Sequence, residues 1–369
     1  MVGRRIETLA TLIAEQSLDW LIVSEPSNLR WLTDFTGSNA VALCPADPGR
    51  SPALLLTDFR YTEQVEAQAP SAWQIEISKH DLLGAGLAEK FPVPDGGGES
   101  YGRVGFDSGH VTVAQLEALD KALDGRADLV PVGGILEQLR AVKSAGEVEK
   151  IRAAALLADE AMLEVLDQGL VGRTEIELAL ALELAIRSRG AQELSFPPIV
   201  AAGAHGALPH AEPRDIAVEA GELVTFDWGA RLDGYCSDCT RTWATGPVGD
   251  LETEVYDTVL RAQEEAVEAL RPGPSGAEID RVARGVIEQA GFGENFGHGL
   301  GHGVGLDIHE APKLSRTGDQ PLLEGMVVTV EPGIYLPGKC GVRIEDVLVL
   351  TADGSEPLNG LDKQFRQVS

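Results

Sequence analysis

Two stretches in the C-terminal part of this chain each predict a β-hairpin that carries a pair of acidic residues. The first contains Asp227 and Asp238 around an Asp-Gly turn, and the second contains Glu331 and Glu345 around Gly338. Asp-Gly between alternating apolar runs is a strong turn signal. Because the members of each pair are equidistant from a turn centre, which for the first hairpin lies between Leu232 and Asp233, we expect them to lie directly opposite each other.

Carboxylates that face each other across a hairpin destabilise it, so these pairs need a counter-charge. Four carboxylates balance two divalent ions, and His302 adds an imidazole. An oxygen-rich set with one imidazole suits Mn²⁺, Co²⁺ or Zn²⁺ better than a metal that prefers thiolates. The alternative is two surface hairpins whose acids point at water, and the histidines near them make that alternative the weaker one.

Three histidines lie in one segment, residues 296–310, in which alternate residues are glycine. So many glycines would be costly in a helix, which predicts an extended segment whose backbone comes close to a ligand. His298 and His302 then share a face, and His309 lies beyond them. His298 alone is more simply explained as a non-functional histidine, whereas His210 follows a proline that stiffens its approach and is the better candidate.

Composition limits the classes of function. The chain has 369 residues, enough for two domains, and its net charge of −28 argues against nucleic-acid binding and against docking on anionic membranes. No stretch predicts a signal peptide or a membrane span, so we expect a cytoplasmic protein. Cys236 and Cys239 would point to opposite faces of a strand, which favours free, packed thiols over a metal or redox pair.

The first part of the chain alternates between helical and strand-like patterns and predicts a small α/β domain. A capping box at residues 144–147 opens a long helix, so we place the boundary just before it, between an N-terminal domain (1–135) and a second domain (136–369). Another capping box, at residues 174–177, opens the next helix. Apolar runs predict strands at residues 20–23, 41–44 and 53–56. Three consecutive glycines predict a loop at residues 92–100.

The second domain contains a weak internal repeat. A turn followed by a helix that ends at glycine occurs from Gly172 to Gly190 and again from Pro272 to Gly291, and each half then supplies one carboxylate hairpin. A period of about 100 residues indicates duplication within a domain, not a solenoid. The predicted fold class is an α/β N-terminal domain followed by an α+β domain with pseudo-twofold internal duplication.

In their order and spacing, these motifs resemble the pita-bread metallopeptidases, which include methionine aminopeptidase, aminopeptidase P and prolidase. The resemblance covers essentially the whole chain, and residues 28–38, 58–64 and 139–147 look like the N-terminal domain and junction of the proline-specific branch. The segments similar to the family's metal ligands are Asp227-Trp-Gly, Asp238-Cys-Thr-Arg-Thr, the glycine-rich segment from His298 to His309, Glu331-Pro-Gly and Val342-Arg-Ile-Glu345-Asp.

The resemblance implies a pita-bread catalytic domain with two divalent metal ions per chain, Mn²⁺ ahead of Co²⁺ and Zn²⁺. It implies that Asp238 and Glu345 bridge the ions, that Asp227 binds one ion, and that His302 and Glu331 bind the other. Glu331 is also similar to the residue that carries a proton to the leaving amine.

Three further residues are expected to support the ligands. Arg343 lies on the Glu345 face of its strand by period two, and Thr240 lies on the Asp238 face, so each is a candidate to orient that carboxylate. Tyr335 is a weaker candidate for the same kind of role.

The implied activity is removal of the N-terminal residue from peptides with proline in the second position, with His210 and His309 as donors to the substrate and to the oxyanion. An Xaa-Pro dipeptidase, or prolidase, uses the same ligands; the residues around His210 and the length of the N-terminal domain favour the aminopeptidase. A metal-free hydrolase of the creatinase kind and a non-catalytic binding protein should both have lost ligands, and all five are present. Relatives also imply a homodimer or homotetramer.

Overall fold

The computed structural model describes residues 2–92 and 100–368. The chain divides into two compact units, Met1–Leu139 and Arg140–Ser369. That division and the boundary predicted after residue 135 both fall within one helix, Ile135–Ala141. Most of the loop predicted at residues 92–100 lies outside the described residues.

The first unit is built on a six-stranded mixed sheet with the order β4-β3-β2-β1-β5-β6. β2 is antiparallel to β1 and β3, and the outer pairs are parallel. The three strands predicted from apolar runs are present as β1, β2 and β3. The elements are α1 (Val2–Glu15), β1 (Trp20–Val23), α2 (Pro26–Thr33), β2 (Ala40–Pro45), β3 (Ala53–Asp58), a short helical turn (Phe59–Tyr61), α3 (Thr62–Gln68), β4 (Trp73–Ser78), a second turn (Leu82–Gly86), α4 (Leu87–Lys90), β5 (Gly102–Asp107), α5 (Val113–Leu123), β6 (Ala127–Val132) and α6 (Ile135–Ala141).

The second unit repeats one order of elements, two helices followed by strands. Its first helix begins where predicted, since the Glu147 carboxylate accepts a hydrogen bond from the main-chain nitrogen of Ser144. The first half contains α7 (Ala145–Asp167), α8 (Glu175–Ser188), β7 (Glu193–Leu194), β8 (Ile199–Ala202), a 3₁₀ turn (Gly203–Ala207), β9 (Leu223–Trp228), β10 (Ala230–Leu232), β11 (Tyr235–Cys236) and β12 (Cys239–Ala244). The second half contains α9 (Asp250–Ala269), α10 (Gly276–Gln289), a 3₁₀ turn (Gly293–Asn295), β13 (Gly301–Gly303), β14 (Glu310–Leu314), β15 (Val327–Val330), β16 (Gly333–Leu336), β17 (Cys340–Arg343), β18 (Asp346–Leu350) and β19 (Ser355–Pro357).

The two halves have equivalent sheets. The order β12-β9-β8 in the first half corresponds to β18-β15-β13 in the second, where β14 and β19 extend the edges. In each half the central strand leads through a short hairpin, β10–β11 or β16–β17, into its neighbour. This correspondence confirms the predicted pseudo-twofold duplication and places the two acid pairs at equivalent points.

Buried hydrogen bonds join the two halves between β12 and β17–β18. The main-chain nitrogen of Glu345 donates to the carbonyl of Thr240 at 3.0 Å, and the Thr242 hydroxyl lies 3.0 Å from the carbonyl of Arg343. Since these residues are almost fully buried, the contacts fix one half against the other at the strands that carry the acids.

All four cysteines are free and buried, as predicted. Burial raises the pKa of the Cys236 thiol to about 11, which leaves it protonated at neutral pH. Among the described residues, no helix combines the length and the apolar composition that crossing a bilayer requires.

Asp159 is a buried acid outside the predicted metal ligands, and its titration affects stability. Asp159 on α7 is 4% exposed and accepts a hydrogen bond from the main-chain nitrogen of Gly360. Burial raises the pKa of Asp159 to about 6, although the Gly360 hydrogen bond opposes the shift. The folded-state pKa lies above the unfolded one, so the protonated carboxyl stabilises the fold below about pH 4, and this contribution is lost as the pH rises through about 6.

We therefore expect Asp159→Asn to raise the free energy of unfolding on the order of 2 kcal/mol at pH 7.5 and to change it little at pH 4.5, because asparagine removes the buried charge and keeps the acceptor for Gly360. Urea denaturation of both proteins at the two pH values, with the same metal content, measures the difference. A variant less stable than the wild type at pH 7.5 would contradict the prediction.

Candidate metal centre

The duplication delivers the four predicted acids to equivalent strand ends. Asp227 lies near the end of β9 and Asp238 immediately precedes β12. In the second half Glu331 immediately follows β15 and Glu345 immediately precedes β18. Each pair is therefore held by one central strand and the strand that returns beside it.

The register of the first hairpin differs from the prediction. Asp227 pairs with Thr240, so it does not lie directly opposite Asp238. The cause is the turn, in which Asp233 and Gly234 have φ of 48° and 80° and are the two central residues between β10 and β11. Positive φ at both central positions is the geometry that Asp-Gly favours. The turn is thus centred one residue later than predicted, which moves the cross-strand partner by two positions.

The second hairpin has the predicted register. β15 pairs with β18 and β16 pairs with β17, and both pairings are centred on Gly338. Val330 lies opposite Asp346, so the flanking register places Glu331 opposite Glu345.

The side chains of these acids converge with His302. Donor atoms of Asp238, His302 and Glu345 lie within 4.8 Å of one another, and His302 Nε2 lies 3.3 Å from Glu331 Oε1. Asp227 Oδ1 and Glu345 Oε1 are buried and have no hydrogen-bond partner among the described residues. A buried, unpartnered carboxylate oxygen is costly unless a cation binds it, so the donor set fits divalent metal ions.

The local structure prepares His302 as a ligand. Its Nδ1 lies 3.0 Å from the carbonyl of Gly303, which assigns the proton to Nδ1 and leaves the Nε2 lone pair for a metal. Its main-chain nitrogen donates to the Thr329 hydroxyl at 3.0 Å, and that hydroxyl donates to Glu331 at 3.2 Å. A side chain at Gly301 would collide with the Thr329 carbonyl, so glycine is required for this close approach.

The electrostatics of the cluster also favour a cation. Burial raises the pKa of Asp238, and the negative charges of Glu345, Asp227 and Glu331 raise it further. Burial likewise raises the pKa of Glu345, and that of Glu331 to about 8. Burial lowers the pKa of His302 to about 4, so its imidazole is neutral at pH 7 and available for coordination.

The predicted supporting residues are present, but two of them contact different ligands from those predicted. Arg343 is buried and donates from Nη2 to Asp227 at 2.6 Å, not to Glu345. Thr240 donates from its hydroxyl to Glu345 Oε2 at 2.7 Å, not to Asp238. The Tyr335 hydroxyl accepts from Arg343 Nη1 at 2.9 Å. Arg343 and Thr240 thus each cross from their own half to a predicted ligand of the other half, whereas Tyr335 contacts Arg343 within its own half.

The five predicted ligands line a cavity of about 500 Å³ in the second unit. Arg343 and three histidines also line it, together with an apolar wall. The apolar residues of this wall are Phe196, Pro197, Pro198, Ile199, Pro209, Ala211, Pro213 and Ile308.

The structure places both candidate donor histidines, His210 and His309, at this cavity, and His298 lines it as well. His309 does not lie beyond the others as predicted, since β14 turns back on β13 and brings the His309 ring to 4.5 Å from the His302 ring. His298, for which the sequence predicts no function, lines the cavity, and its Nε2 lies 2.8 Å from the Tyr335 hydroxyl. His210 lines the cavity on the segment after the 3₁₀ turn of the first half.

Glu310 and the cations that bind it have no counterpart among the predicted site residues. Its carboxylate accepts hydrogen bonds from Arg140 and from Lys143, the latter at 3.2 Å. It also accepts from the main-chain nitrogen of Asp307, which ties down the segment that carries His309. The position of Glu310 next to His309 was the signal in the sequence that could have identified it. Its partners Arg140 and Lys143 gave no such signal, because they lie more than 150 positions away along the chain.

An acid-rich cluster with one imidazole inside a ligand-sized cavity is the kind of site that metal-dependent hydrolases use. The sequence model of metallopeptidase family M24 matches residues 149–352, and that of the creatinase/prolidase N-terminal domain matches residues 5–142. The chain belongs to metallopeptidase family M24, as its resemblance predicted.

Three similar proteins match nearly the whole chain. The Xaa-Pro dipeptidase from Bacillus anthracis shares 37% sequence identity, with a TM-score of 0.93 and full coverage of both chains. The X-Pro aminopeptidase from Thermotoga maritima MSB8 shares 35% identity, with a TM-score of 0.86 and coverage of 96% of this chain and 99% of that one. The Xaa-Pro dipeptidase of Pyrococcus furiosus is 32% identical over 364 residues, which are 98% of this chain and 99% of the relative. These matches confirm the predicted fold class.

Proposed function

We propose that this metallopeptidase hydrolyses the bond between an N-terminal residue and a proline in the second position. The observation that carries the proposal is the convergence of four carboxylates, of which Asp238 and Glu345 are buried, and His302 at one cavity, where Asp227 Oδ1 and Glu345 Oε1 have no hydrogen-bond partner among the described residues. The named activities of the three similar proteins support proline in the substrate. The apolar wall supports it as well, because a prolyl ring has no N–H that needs an acceptor there.

Two divalent ions, Mn²⁺ ahead of Co²⁺ and Zn²⁺, are proposed as the cofactors. Asp238 and Glu345 would bridge them, Asp227 would bind one, and His302 and Glu331 would bind the other. When bound, such ions polarise a carbonyl and lower the pKa of a water molecule that attacks it. Arg343 holds Asp227, and Thr240 holds Glu345, so neither carboxylate has to reorganise when the cations bind.

The proposed roles of the remaining residues follow from their chemistry. Glu331 accepts a proton from the attacking water and passes it to the leaving prolyl nitrogen. His309 and His210 donate hydrogen bonds to the substrate carbonyl as negative charge develops on its oxygen. Both line the cavity, and the His309 ring lies against that of His302.

We expect about two metal ions per chain and metal-dependent release of the first residue from Xaa-Pro substrates, but not from matched Xaa-Ala peptides. Elemental analysis and amino-acid release by the metal-replete protein measure both. If Ala-Pro and Ala-Pro-Ala both stayed intact, the proposed function would be wrong. A metal content near zero would favour the metal-free hydrolase or the binding protein.

The preferred peptide length separates the two candidate activities. The segment around His210 and the N-terminal domain favoured an aminopeptidase, which the similarity to the Thermotoga maritima protein supports. Two of the three similar proteins are named Xaa-Pro dipeptidases, so we propose the dipeptide as the better substrate. The ratio of kcat/KM for Ala-Pro to that for Ala-Pro-Ala decides between them. A homo-oligomeric state and a cytoplasmic location stay predictions.

A further inference from the structure

A second buried carboxylate lies apart from the metal ligands, at the beginning of α8. Glu175 is fully buried, and its oxygens accept hydrogen bonds from the main-chain nitrogen of Ala202 at 2.9 Å and from His205 Nδ1 at 3.0 Å. They also accept from Arg214, through its main-chain nitrogen at 2.9 Å, Nε at 3.1 Å and Nη2 at 3.0 Å. All of these donors come from residues 202–214 and none comes from the helix that carries Glu175.

The donors flank the segment that forms one wall of the cavity. Ala202 and His205 precede this segment and Arg214 follows it, and residues 209–213 between them line the cavity, His210 among them. One carboxylate therefore closes a loop at both of its ends. The segment has further ties: the main-chain nitrogen of Ile176 donates to the carbonyl of Arg214 at 3.2 Å, Ala202 pairs with Val224 at the end of β8, and Arg343 Nη1 donates to the carbonyl of Pro209 at 3.2 Å.

The charge of Glu175 matters to this closure. Burial disfavours the ionised form, but hydrogen bonds from Arg214 and Ala202 outweigh burial and hold the pKa of Glu175 below its ordinary value. The carboxylate is thus ionised at neutral pH and attracts Arg214, whose side chain is partly exposed. Without the charge of Glu175 its hydrogen bonds to the donors at both ends of the loop would weaken, so the loop ends would be held less tightly.

We propose that Glu175 is a positioning residue, which sets the place of His210 and of the adjoining cavity wall by holding both ends of the segment 202–214. It touches neither the substrate nor the metal ligands. The effect on catalysis rests on the proposed function, while the anchoring itself does not.

The anchoring is tested by amide hydrogen exchange of Glu175→Gln. Glutamine is nearly isosteric, but it carries no charge and has one acceptor oxygen in place of two, so we expect faster exchange confined to residues 202–214. The matched control is Glu177→Gln, two positions along the same helix, because Glu177 is exposed and only caps α8 by accepting from the nitrogen of Thr174. Unchanged exchange at 202–214 in Glu175→Gln, or the same increase in the control, would overturn the proposal.

The catalytic consequence is tested by a double-mutant cycle with His210→Ala. A hydrogen-bond donor to the oxyanion raises the reaction rate about a hundredfold, and displacing the donor by about 1 Å loses a large part of that rate enhancement. We expect kcat/KM to fall about tenfold in Glu175→Gln and about a hundredfold in His210→Ala, and the double variant to equal His210→Ala, with metal content unchanged throughout. A Glu175→Gln effect that persists in full on the His210→Ala background would show a general structural role and overturn the proposal.

A second variant covers the case in which Glu175→Gln does not fold. Arg214→Gln removes two charge-assisted hydrogen bonds, from Nε and Nη2, at the partly exposed end of the loop, and the same non-additivity with His210→Ala is expected, at a smaller amplitude. Additive losses there would count against the proposal. If the wild-type protein cleaves no Xaa-Pro peptide, the proposed function fails, and the exchange experiment still decides the anchoring.

Discussion

Asp238→Ala is expected to lose bound metal and peptidase activity together, while the fold persists. Asp238 belongs to the cluster with His302 and Glu345, and the negative charges of Glu345, Asp227 and Glu331 oppose its ionisation when no cation is bound. Metal ions supply several kcal/mol of transition-state stabilisation, and each 1.36 kcal/mol is tenfold in rate, so we expect kcat to fall about a thousandfold or more.

The fold should persist because alanine removes a buried carboxyl that destabilises the metal-free protein. We expect metal-free Asp238→Ala to melt at the same temperature as metal-free wild type or higher, whereas only the wild type gains stability when Mn²⁺ is added. Elemental analysis, Xaa-Pro hydrolysis and thermal denaturation with and without chelator measure the three quantities.

The matched pair Asp238→Asn and Asp159→Asn supplies the control. Both replace a buried aspartate of the same half with the same residue, but Asp159 does not line the cavity. Asp159→Asn should keep full metal content and activity. An Asp238 variant that kept its metal and more than about a tenth of wild-type activity would exclude a bridging role for this residue.

Local patterns predicted that the four acids lie on paired strands, because the signals for those strands and turns lie within a few residues. The second hairpin register followed from the spacing of Glu331 and Glu345 around Gly338. The first register failed at one detail, the choice of turn centre at Asp233-Gly234, since a shift of one residue in the centre moves the partner by two.

Contacts between the two halves could not be predicted from local patterns. Period two places Arg343 on the correct face, but only the arrangement of the halves brings it to Asp227 instead of Glu345. The capping box at residues 174–177 predicted the start of α8 correctly, yet it gave no sign that Glu175 binds a segment beyond the next strand. Such partners depend on tertiary structure, because nothing in the spacing of either residue encodes the distance to the other.

Among the three residues predicted to support the ligands, Arg343 is the one whose replacement is expected to have the largest effect. Its guanidinium donates to four acceptors at once: Asp227, the hydroxyls of Thr240 and Tyr335, and the carbonyl of Pro209. Lysine keeps the charge but lacks the planar fork that reaches several acceptors. We therefore expect Arg343→Lys to lower kcat/KM by about 10- to 100-fold, because Asp227 is no longer held in place.

Arg343→Met separates charge from geometry. The positive charge of Arg343 lowers the pKa values of Glu331, Glu345 and Asp238, so its removal raises them, and protons then compete better with metal ions. We expect metal uptake by Arg343→Met to require a higher pH than uptake by the wild type, and metal uptake by Arg343→Lys to keep the wild-type pH dependence. Metal titrations at several pH values, beside kcat/KM at saturating metal, measure the two effects. Wild-type activity in Arg343→Lys would show that the charge alone matters, and identical pH dependence in all three proteins would show that the guanidinium acts only by holding Asp227.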